Sequence, residues 1–242
     1  MDPKIIFEDE SIIILDKPSG WIVNEATTTG RIPVIQKWLK NNFDYPLTNN
    51  REYRNGIVHR LDKETSGALM VAKTRESFEN LQKQFKERKV QKKYIALVHG
   101  SIESPEGEIK APLGRLPWRR ERFGVLPGGK DAVTIYKTLE HFKLKSDQHS
   151  FFTLAEFYPK TGRTHQIRIH AKYIGHPICS DEFYAGRKTS RRDKKWCPRL
   201  FLHASELSFI HPTEKNKLKF TSKLPKDLIQ VLDSLEKIAS TT

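Results

Sequence analysis

The apolar residues of this 242-residue chain are grouped in short runs that suit β-strands. The run at residues 12–15 is typical, and no run approaches the roughly 20 residues that a membrane-spanning helix needs. With 37% hydrophobic and 30% charged residues, the chain is predicted to be a soluble, globular protein. A chain of this length is also able to bury a sizeable core.

The apolar pattern predicts an α+β domain. Residues 4–7 and 12–15 flank a polar turn and predict a β-hairpin, and further strands are predicted at 56–59, 68–72, 90–98, 132–139, 151–158, 200–203 and 218–221. Helices are predicted to begin near Pro33, to follow a Thr74 N-cap, to run from a Thr164 cap to Ile174, and to follow Pro225. Adjacent strands with scattered helices favour an α+β fold over an alternating parallel sheet.

The chain is basic, with 43 Lys and Arg against 29 Asp and Glu and a formal net charge of +14. Residues 51–100 carry 12 basic and 6 acidic side chains, and residues 151–200 carry 11 and 4. A polyanion is the expected partner, and nucleic acid fits better than a membrane because the chain shows no basic amphipathic anchor. A lysine excess that serves only solubility is the alternative.

The cysteine content predicts a reducing compartment. Cys179 and Cys197 are too few for a disulfide framework, so a cytoplasmic protein is expected. The first residues show no basic stretch followed by an apolar one, and no signal peptide is expected.

Three polar segments are candidates for chemistry, and each also has an ordinary structural interpretation. Residues 59–67 (His-Arg-Leu-Asp-Lys-Glu-Thr-Ser-Gly) form a dense cluster or a capped turn. Residues 92–98 form a strand whose Tyr94 is an active-site or a core residue. Residues 161–170 begin a predicted helix whose arginines are functional or merely solvated. On the residues alone these alternatives stay open.

The sequence predicts no metal site and no cofactor. His165 and His170 are five residues apart, whereas zinc-binding helices place two histidines four apart on one face. The two cysteines form no Cys-x-x-Cys motif, and residues 128–130 lack the flanking residues of a phosphate-binding loop. The side chains that remain as candidates for chemistry are a carboxylate, a tyrosine and arginines.

Residues 59–67 resemble the Arg-Leu-Asp-x-x-Thr-Ser-Gly signature of the RluA-type pseudouridine synthases. Other motifs of that family follow in the same order: residues 17–20 (Lys-Pro-Ser-Gly), 93–100, 162–170, 175–178 and 202–204. The resemblance runs from about residue 4 to about residue 235. Several motifs in a fixed order are far more specific than any one of them.

The resemblance implies a pseudouridine synthase fold of the α+β class, with a mixed, largely antiparallel sheet, flanking helices and a central RNA-binding cleft. It implies one catalytic domain spanning residues 1–242, and an isomerase (an intramolecular transferase) that converts uridine in structured RNA into pseudouridine without a cofactor or metal. A monomer that binds RNA and no membrane is expected.

The resemblance also implies roles for individual residues. Asp62 corresponds to the essential carboxylate, Tyr94 to the active-site tyrosine and Arg168 to the arginine that pairs with Asp62 and keeps it charged. Arg60 is expected near the flipped base. Further substrate contacts are expected from Thr65, Arg163, Thr164, His165 and Gln166. We expect Arg168→Ala to leave folding largely intact and to depress turnover.

Substrate choice is less constrained by the sequence. Residues 114–117 and 119–125 look more like large-subunit ribosomal RNA modifiers, so ribosomal RNA is the expected substrate. Transfer RNA is the alternative, and a non-catalytic RNA-binding or ribosome-assembly protein on the same fold is another. The small N-terminal RNA-binding domain of many members is not seen in this sequence. Ser180-Asp181 also replaces the family's Gly-Asp, so a slightly different turn is expected there.

Overall fold

The computed structural model describes residues 1–26, 29–117 and 119–238, apart from the side chains of residues 120, 121 and 148. In that part of the chain the strands are β1 Lys4–Glu8, β2 Ile12–Lys17, β3 Ser66–Ala72, β4 Gln91–His99, β5 Glu106–Lys110, β6 Leu113–Leu116, β7 Arg119–Val125, β8 Val133–Leu144, β9 Asp147–Pro159, β10 Leu202–Ile210, β11 Lys217–Thr221 and β12 Leu235–Ile238. The helices are α1 Ile35–Asn42, α2 Arg75–Lys86, α3 Gln166–Tyr173, α4 Arg187–Asp193 and α5 Lys226–Ser234.

The chain divides into two compact units, each assembled from separate stretches of sequence. The first unit comprises Met1–Lys92 and Ala204–Lys223, and the second comprises Lys93–His203 and Leu224–Thr242. The α+β class predicted from the apolar pattern is confirmed. The single catalytic domain predicted for residues 1–242 stays a prediction. Within the described ranges, no helix is both long and apolar enough to cross a membrane.

The first unit contains a sheet with the strand order β1-β2-β3-β10, and β11 pairs with β10. The predicted β1–β2 hairpin is confirmed, and β2 pairs antiparallel with β3 from Ile12 opposite Ala72 to Lys17 opposite Gly67. Helix α2 packs Leu81 against Ile12 and other apolar residues of this sheet. The predicted cap is also confirmed, since Thr74 Oγ1 accepts a hydrogen bond from Ser77 N.

The predicted strand at residues 56–59 forms only one bridge, between Ile57 and Val71. Asn55 and Gly56, which precede Ile57, have φ angles of +55° and +79° and interrupt the extended chain. A side chain at Gly56 would meet the carbonyl oxygen of Ala72 at 1.9 Å. The chain therefore turns at this point and passes close against β3.

The second unit contains the antiparallel strand order β4-β9-β8-β12, with β5 also paired to β8 and β6–β7 forming a separate hairpin. Its core joins buried residues of β4 and β9, such as Val98 and Phe157, to Ile167 of α3 and Leu228 of α5. The helix predicted after Pro225 is confirmed as α5.

Helix α3 begins differently from the prediction. Its N-cap is His165 rather than Thr164, and no side chain caps the helix. His165 instead adopts the left-handed conformation with φ +55° and ψ +22°. Helix α4 and strands β5, β6, β7 and β12 are not predicted from the apolar pattern.

Candidate active site

Asp62 lies in the loop that leads into β3 in the first unit. Leu61 before it is buried, Thr65 and Ser66 after it are buried, and Asp62 itself stays partly exposed. Thr65 N donates a hydrogen bond to Asp62 O at 3.1 Å and closes a tight turn. At Gly67 a side chain would meet the carbonyl oxygen of Ala204 at 2.2 Å, and φ is +116°. The signature therefore presents an acidic side chain on a backbone that is fixed on both sides.

Residues 17–20 hold the same loop from the other side. Lys17 is fully buried, and its ammonium donates hydrogen bonds to the carbonyl oxygens of Pro18 (2.9 Å), Trp21 (2.9 Å) and Lys63 (3.2 Å). Ser19 Oγ donates to Glu64 O at 2.8 Å. Hydrogen bonds from a charged donor are roughly twice as strong as neutral ones. The two residues that follow Asp62 are thus anchored to the Lys-Pro-Ser-Gly motif.

His59 and Arg60 have different surroundings. His59 Nε2 accepts a hydrogen bond from Met70 N at 2.9 Å, and its ring lies 5.0 Å from the ring of Phe85. Burial, assisted by the charge of Lys92, lowers the pKa of His59 to about 3, so the ring is neutral near pH 7. Arg60 is exposed, and its guanidinium is accessible to a polyanion.

Tyr94 lies on β4 in the second unit, opposite Phe157 of β9. Its ring is partly buried against the core cluster that contains Ala96 and Phe157. The neighbouring Lys93 pairs with Glu156 at 3.1 Å. The core therefore fixes the ring while part of its surface remains accessible. The active-site role of Tyr94 stays a prediction.

Gln166 organises the turn that precedes α3. Its Oε1 accepts from Thr161 Oγ1 (2.6 Å) and Arg163 N (3.0 Å), and its Nε2 donates to Val133 O (3.0 Å) and Thr134 Oγ1 (2.9 Å). A primary amide offers two acceptor sites and two donor hydrogens, so all of them are used. The side chain is also buried. Gln166 thus orders the loop that carries Arg163 and has no hydrogen-bonding capacity left for a ligand.

His165 stands at the bend between that loop and α3. Its left-handed backbone costs roughly 1–3 kcal/mol for a residue other than glycine. Contacts hold it there: Nδ1 is hydrogen-bonded to Tyr184 Oη at 2.9 Å, and the ring contacts Phe123 and Phe183. Strained residues kept by their surroundings cluster at functional sites. Thr164 beside it is partly buried.

Arg168 and Asp181 form a buried, bidentate ion pair in the second unit. Arg168 Nε donates to Asp181 Oδ2 at 2.7 Å, and Nη2 donates to Oδ1 at 2.8 Å. The guanidinium also lies 5.1 Å from the ring centre of Tyr184. The sequence does not predict this partner for Arg168. Asp62 belongs to the first unit, and its pairing with Arg168 stays a prediction.

Comparison with known proteins supports the resemblance. The family model described as RNA pseudouridylate synthase matches residues 11–173. The Bacillus subtilis protein named Uncharacterized RNA pseudouridine synthase YlyB is 38% identical over 237 residues, which cover 98% of this chain and 74% of the relative. Ribosomal large subunit pseudouridine synthase D of Pseudomonas aeruginosa is 38% identical over 240 residues, 96% of this chain and 71% of the relative.

The solved structure of Human RNA Pseudouridylate Synthase Domain Containing 1 has a TM-score of 0.75 and 26% identity to this chain, covering 98% of this chain and 89% of that one. This chain belongs to the RluA-type pseudouridine synthase family. Membership confirms the predicted fold, the predicted isomerase class and RNA as the substrate. The chain spans 65–74% of the length of its sequence relatives.

Ser180 occupies a position where the RluA-type pattern has glycine. Its φ is +59°, in the left-handed region that favours glycine. Ser180 N donates to Asp193 Oδ2 at 2.8 Å, and its Oγ donates to Cys197 O. Serine therefore adopts the left-handed conformation that a glycine would allow, and a side-chain hydrogen bond offsets its backbone cost.

No group of three or more His, Cys, Asp and Glu side chains among the described residues is arranged to hold a metal ion.

Proposed function

We propose that this protein converts a uridine of large-subunit ribosomal RNA into pseudouridine, with Asp62, Tyr94 and Arg168 as its catalytic residues. The observation that carries the proposal is the buried guanidinium of Arg168, fixed by two hydrogen bonds to Asp181. Buried ion pairs seldom add net stability compared with apolar residues. A catalytic role explains the ion pair better than stability does, because a catalytic side chain must be held in one orientation by its neighbours.

The reaction breaks the bond between ribose C1′ and uracil N1, turns the base and joins C1′ to C5. The proton on C5 leaves to solvent and N1 gains one, so the atoms balance without an oxidant or reductant. The Asp62 carboxylate adds to the uracil, attacks the sugar or removes a proton from the sugar. Arg168 keeps that carboxylate ionised and oriented. Tyr94 stacks on the uracil and assists removal of the C5 proton.

The target uridine must leave its stack to reach these groups, at a cost of a few kcal/mol. Arg60 is accessible and fills the vacated space, since a guanidinium stacks on bases. Thr65, Arg163, Thr164 and His165 contribute further substrate contacts. Gln166 serves the substrate indirectly, because its amide is saturated by the turn that it orders.

Several relatives named ribosomal large subunit pseudouridine synthase D support ribosomal RNA over transfer RNA. We also propose a cytoplasmic monomer with a single catalytic domain across residues 1–242. The free, buried Cys179 and Cys197 fit a reducing compartment. A non-catalytic ribosome-assembly protein is disfavoured, because RNA binding alone does not need the Asp62 carboxylate.

Tritium release tests this function. Large-subunit ribosomal RNA and transfer RNA, each labelled with tritium at uridine C5, are incubated separately with the protein, and reactions without protein set the background. We expect release from ribosomal RNA only. Release from transfer RNA alone would move the substrate to that class, and release from neither RNA would overturn the proposed activity.

A further inference from the structure

We propose that a cationic cleft between the β6–β7 hairpin and α4 binds the phosphodiester backbone of RNA beside Arg168. The proposal rests on the proposed function in one respect, that the partner is RNA. The cleft measures about 370 Å³ and lies entirely in the second unit, and its lining residues are Arg122, Glu182, Phe183, Arg187, Ser190, Arg191 and Lys194. Small-molecule pockets typically measure about 300–1,000 Å³.

One face of helix α4 contributes basic side chains to this cleft. Arg187, Arg191 and Lys194 are spaced by four and three residues, so they share one face of the helix. Adjacent positions are anchored, because Ser190 and Asp193 are buried. Asp193 Oδ2 accepts from Ser180 N at 2.8 Å and is hydrogen-bonded to His99 Nε2 at 2.9 Å. The orientation of the basic face is therefore set by the fold.

The charges of the cleft are unbalanced. Lys194 pairs with Glu182, the one acidic residue of the lining. In the described part of the chain, Arg187 and Arg191 have no carboxylate partner, and both are exposed. Like charges four residues apart weaken a helix, and a bound polyanion removes that penalty. Guanidinium groups match the geometry of phosphate oxygens.

Phe183 connects the cleft to Arg168. The guanidinium of Arg122 lies 5.6 Å from the centre of the Phe183 ring, and that of Arg168 lies 5.4 Å from it. Arg122 Nη1 also donates to Phe183 O at 3.1 Å, which fixes this arginine at the cleft wall. An RNA backbone held here runs past the ring that Arg168 packs against, so the cleft positions RNA close to a proposed catalytic residue.

The test compares two double variants on the same helix. Arg187→Ala with Arg191→Ala removes two charges from the cleft. Lys188→Ala with Arg192→Ala removes two charges at the same spacing from positions that do not line it. Affinity for a transcript of large-subunit ribosomal RNA is measured against salt concentration, with circular dichroism to verify folding. Tritium release at saturating RNA is measured in parallel.

We expect the cleft variant to bind RNA about tenfold more weakly and to lose about 1.4 units of salt slope, the amount for two single-strand phosphate contacts. The control variant should stay close to the wild type in affinity, salt slope and tritium release. Equal losses in the two variants, or no loss in the cleft variant, would overturn the proposal. So would displacement of RNA from the wild type by polyglutamate at equal charge. Because binding is measured without catalysis, a wild type that binds RNA but releases no tritium would refute only the proposed function.

Discussion

Arg168 and Asp181 meet through two parallel hydrogen bonds of 2.7 and 2.8 Å, and both side chains are buried. Asp181 Oδ1 also accepts from Phe183 N (2.9 Å) and Tyr184 N (3.0 Å). The backbone therefore fixes the carboxylate, and the carboxylate fixes the guanidinium. Asp181, a residue of the same unit, therefore holds the guanidinium of Arg168 in place.

Removal of Arg168 should destabilise the protein, contrary to the expectation from sequence that Arg168→Ala leaves folding largely intact. The variant leaves Asp181 buried without its partner, and breaking a buried pair costs about 3–5 kcal/mol. Arg168→Met combined with Asp181→Asn removes both charges of the pair and should be more stable than Arg168→Ala. Urea unfolding measures both, and an unfolding free energy of Arg168→Ala equal to the wild type would show that the pair is energetically unimportant.

Arg168→Lys separates orientation from charge. Lysine keeps the positive charge but cannot form the bidentate pair. We expect the variant to bind RNA as the wild type does and to turn over about 100-fold more slowly, the scale of a misplaced catalytic group. Single-turnover tritium release provides the rate and filter binding the affinity. A wild-type rate would mean that only the charge matters.

Ser180 should be more sensitive to alanine than to glycine. Ser180→Ala keeps the left-handed backbone and loses the hydrogen bond to Cys197 O, which costs about 1 kcal/mol. Ser180→Gly loses the same bond but relieves a backbone cost of about 1–2 kcal/mol. Thermal unfolding of the matched pair should rank glycine above alanine. The reverse order would contradict a role for the positive φ.

Lys17 should control the rigidity of the Asp62 loop. Lys17→Met removes the charged donor from three carbonyl oxygens, of which Lys63 O keeps its hydrogen bond from Gly20 N. A hydrogen bond to a charged group contributes about 1.5–3 kcal/mol. Ser19→Ala removes one bond to the same loop and serves as the milder variant. We expect the amides of residues 63–67 to exchange hydrogen faster in both, and more so for Lys17→Met. Unchanged exchange there would show that the motif does not hold the loop.

His59 should make stability depend on pH. Its folded-state pKa of about 3 lies below the ordinary 6.5, so the unfolded chain binds a proton first as the pH falls. Stability is therefore fully present above about pH 6.5 and declines below it by up to about 1.4 kcal/mol per pH unit, until the folded ring titrates near pH 3. Between pH 6.5 and 5, His59→Gln should reduce the dependence of the unfolding free energy on pH. Substitution of the exposed His149 by Gln should leave that dependence unchanged. Identical slopes in the wild type and His59→Gln would argue against a ring that stays neutral in the folded protein.

Apolar patterning predicts the parts of the fold that it controls. Strands β2 and β3 and helix α2 follow from buried runs, a helical stripe and the Thr74 cap. Helix α4 and the β6–β7 hairpin carry few apolar residues, so periodicity gives no signal for them. Their places depend on tertiary contacts instead, such as Asp193 with Ser180 and the Phe123 ring with His165.

The motifs identify Asp62, Tyr94 and Arg168 as candidates but not the residues that position them. Asp181 lies 13 residues from Arg168 in sequence, and no local pattern indicates that the two form an ion pair. The family's Gly-Asp motif, present here as Ser180-Asp181, is the only hint. Gln166 is the opposite case. The motif predicts that it contacts substrate, but its amide is hydrogen-bonded within the turn before α3.

Asp62→Asn retains the shape of the side chain and removes its charge. Enzyme in excess is mixed with large-subunit ribosomal RNA carrying tritium at uridine C5, and release is followed through a single turnover, with RNA affinity measured alongside. We expect release by the wild type, none above background by Asp62→Asn, and equal affinities. Release by Asp62→Asn at the wild-type rate would contradict the role assigned to this carboxylate.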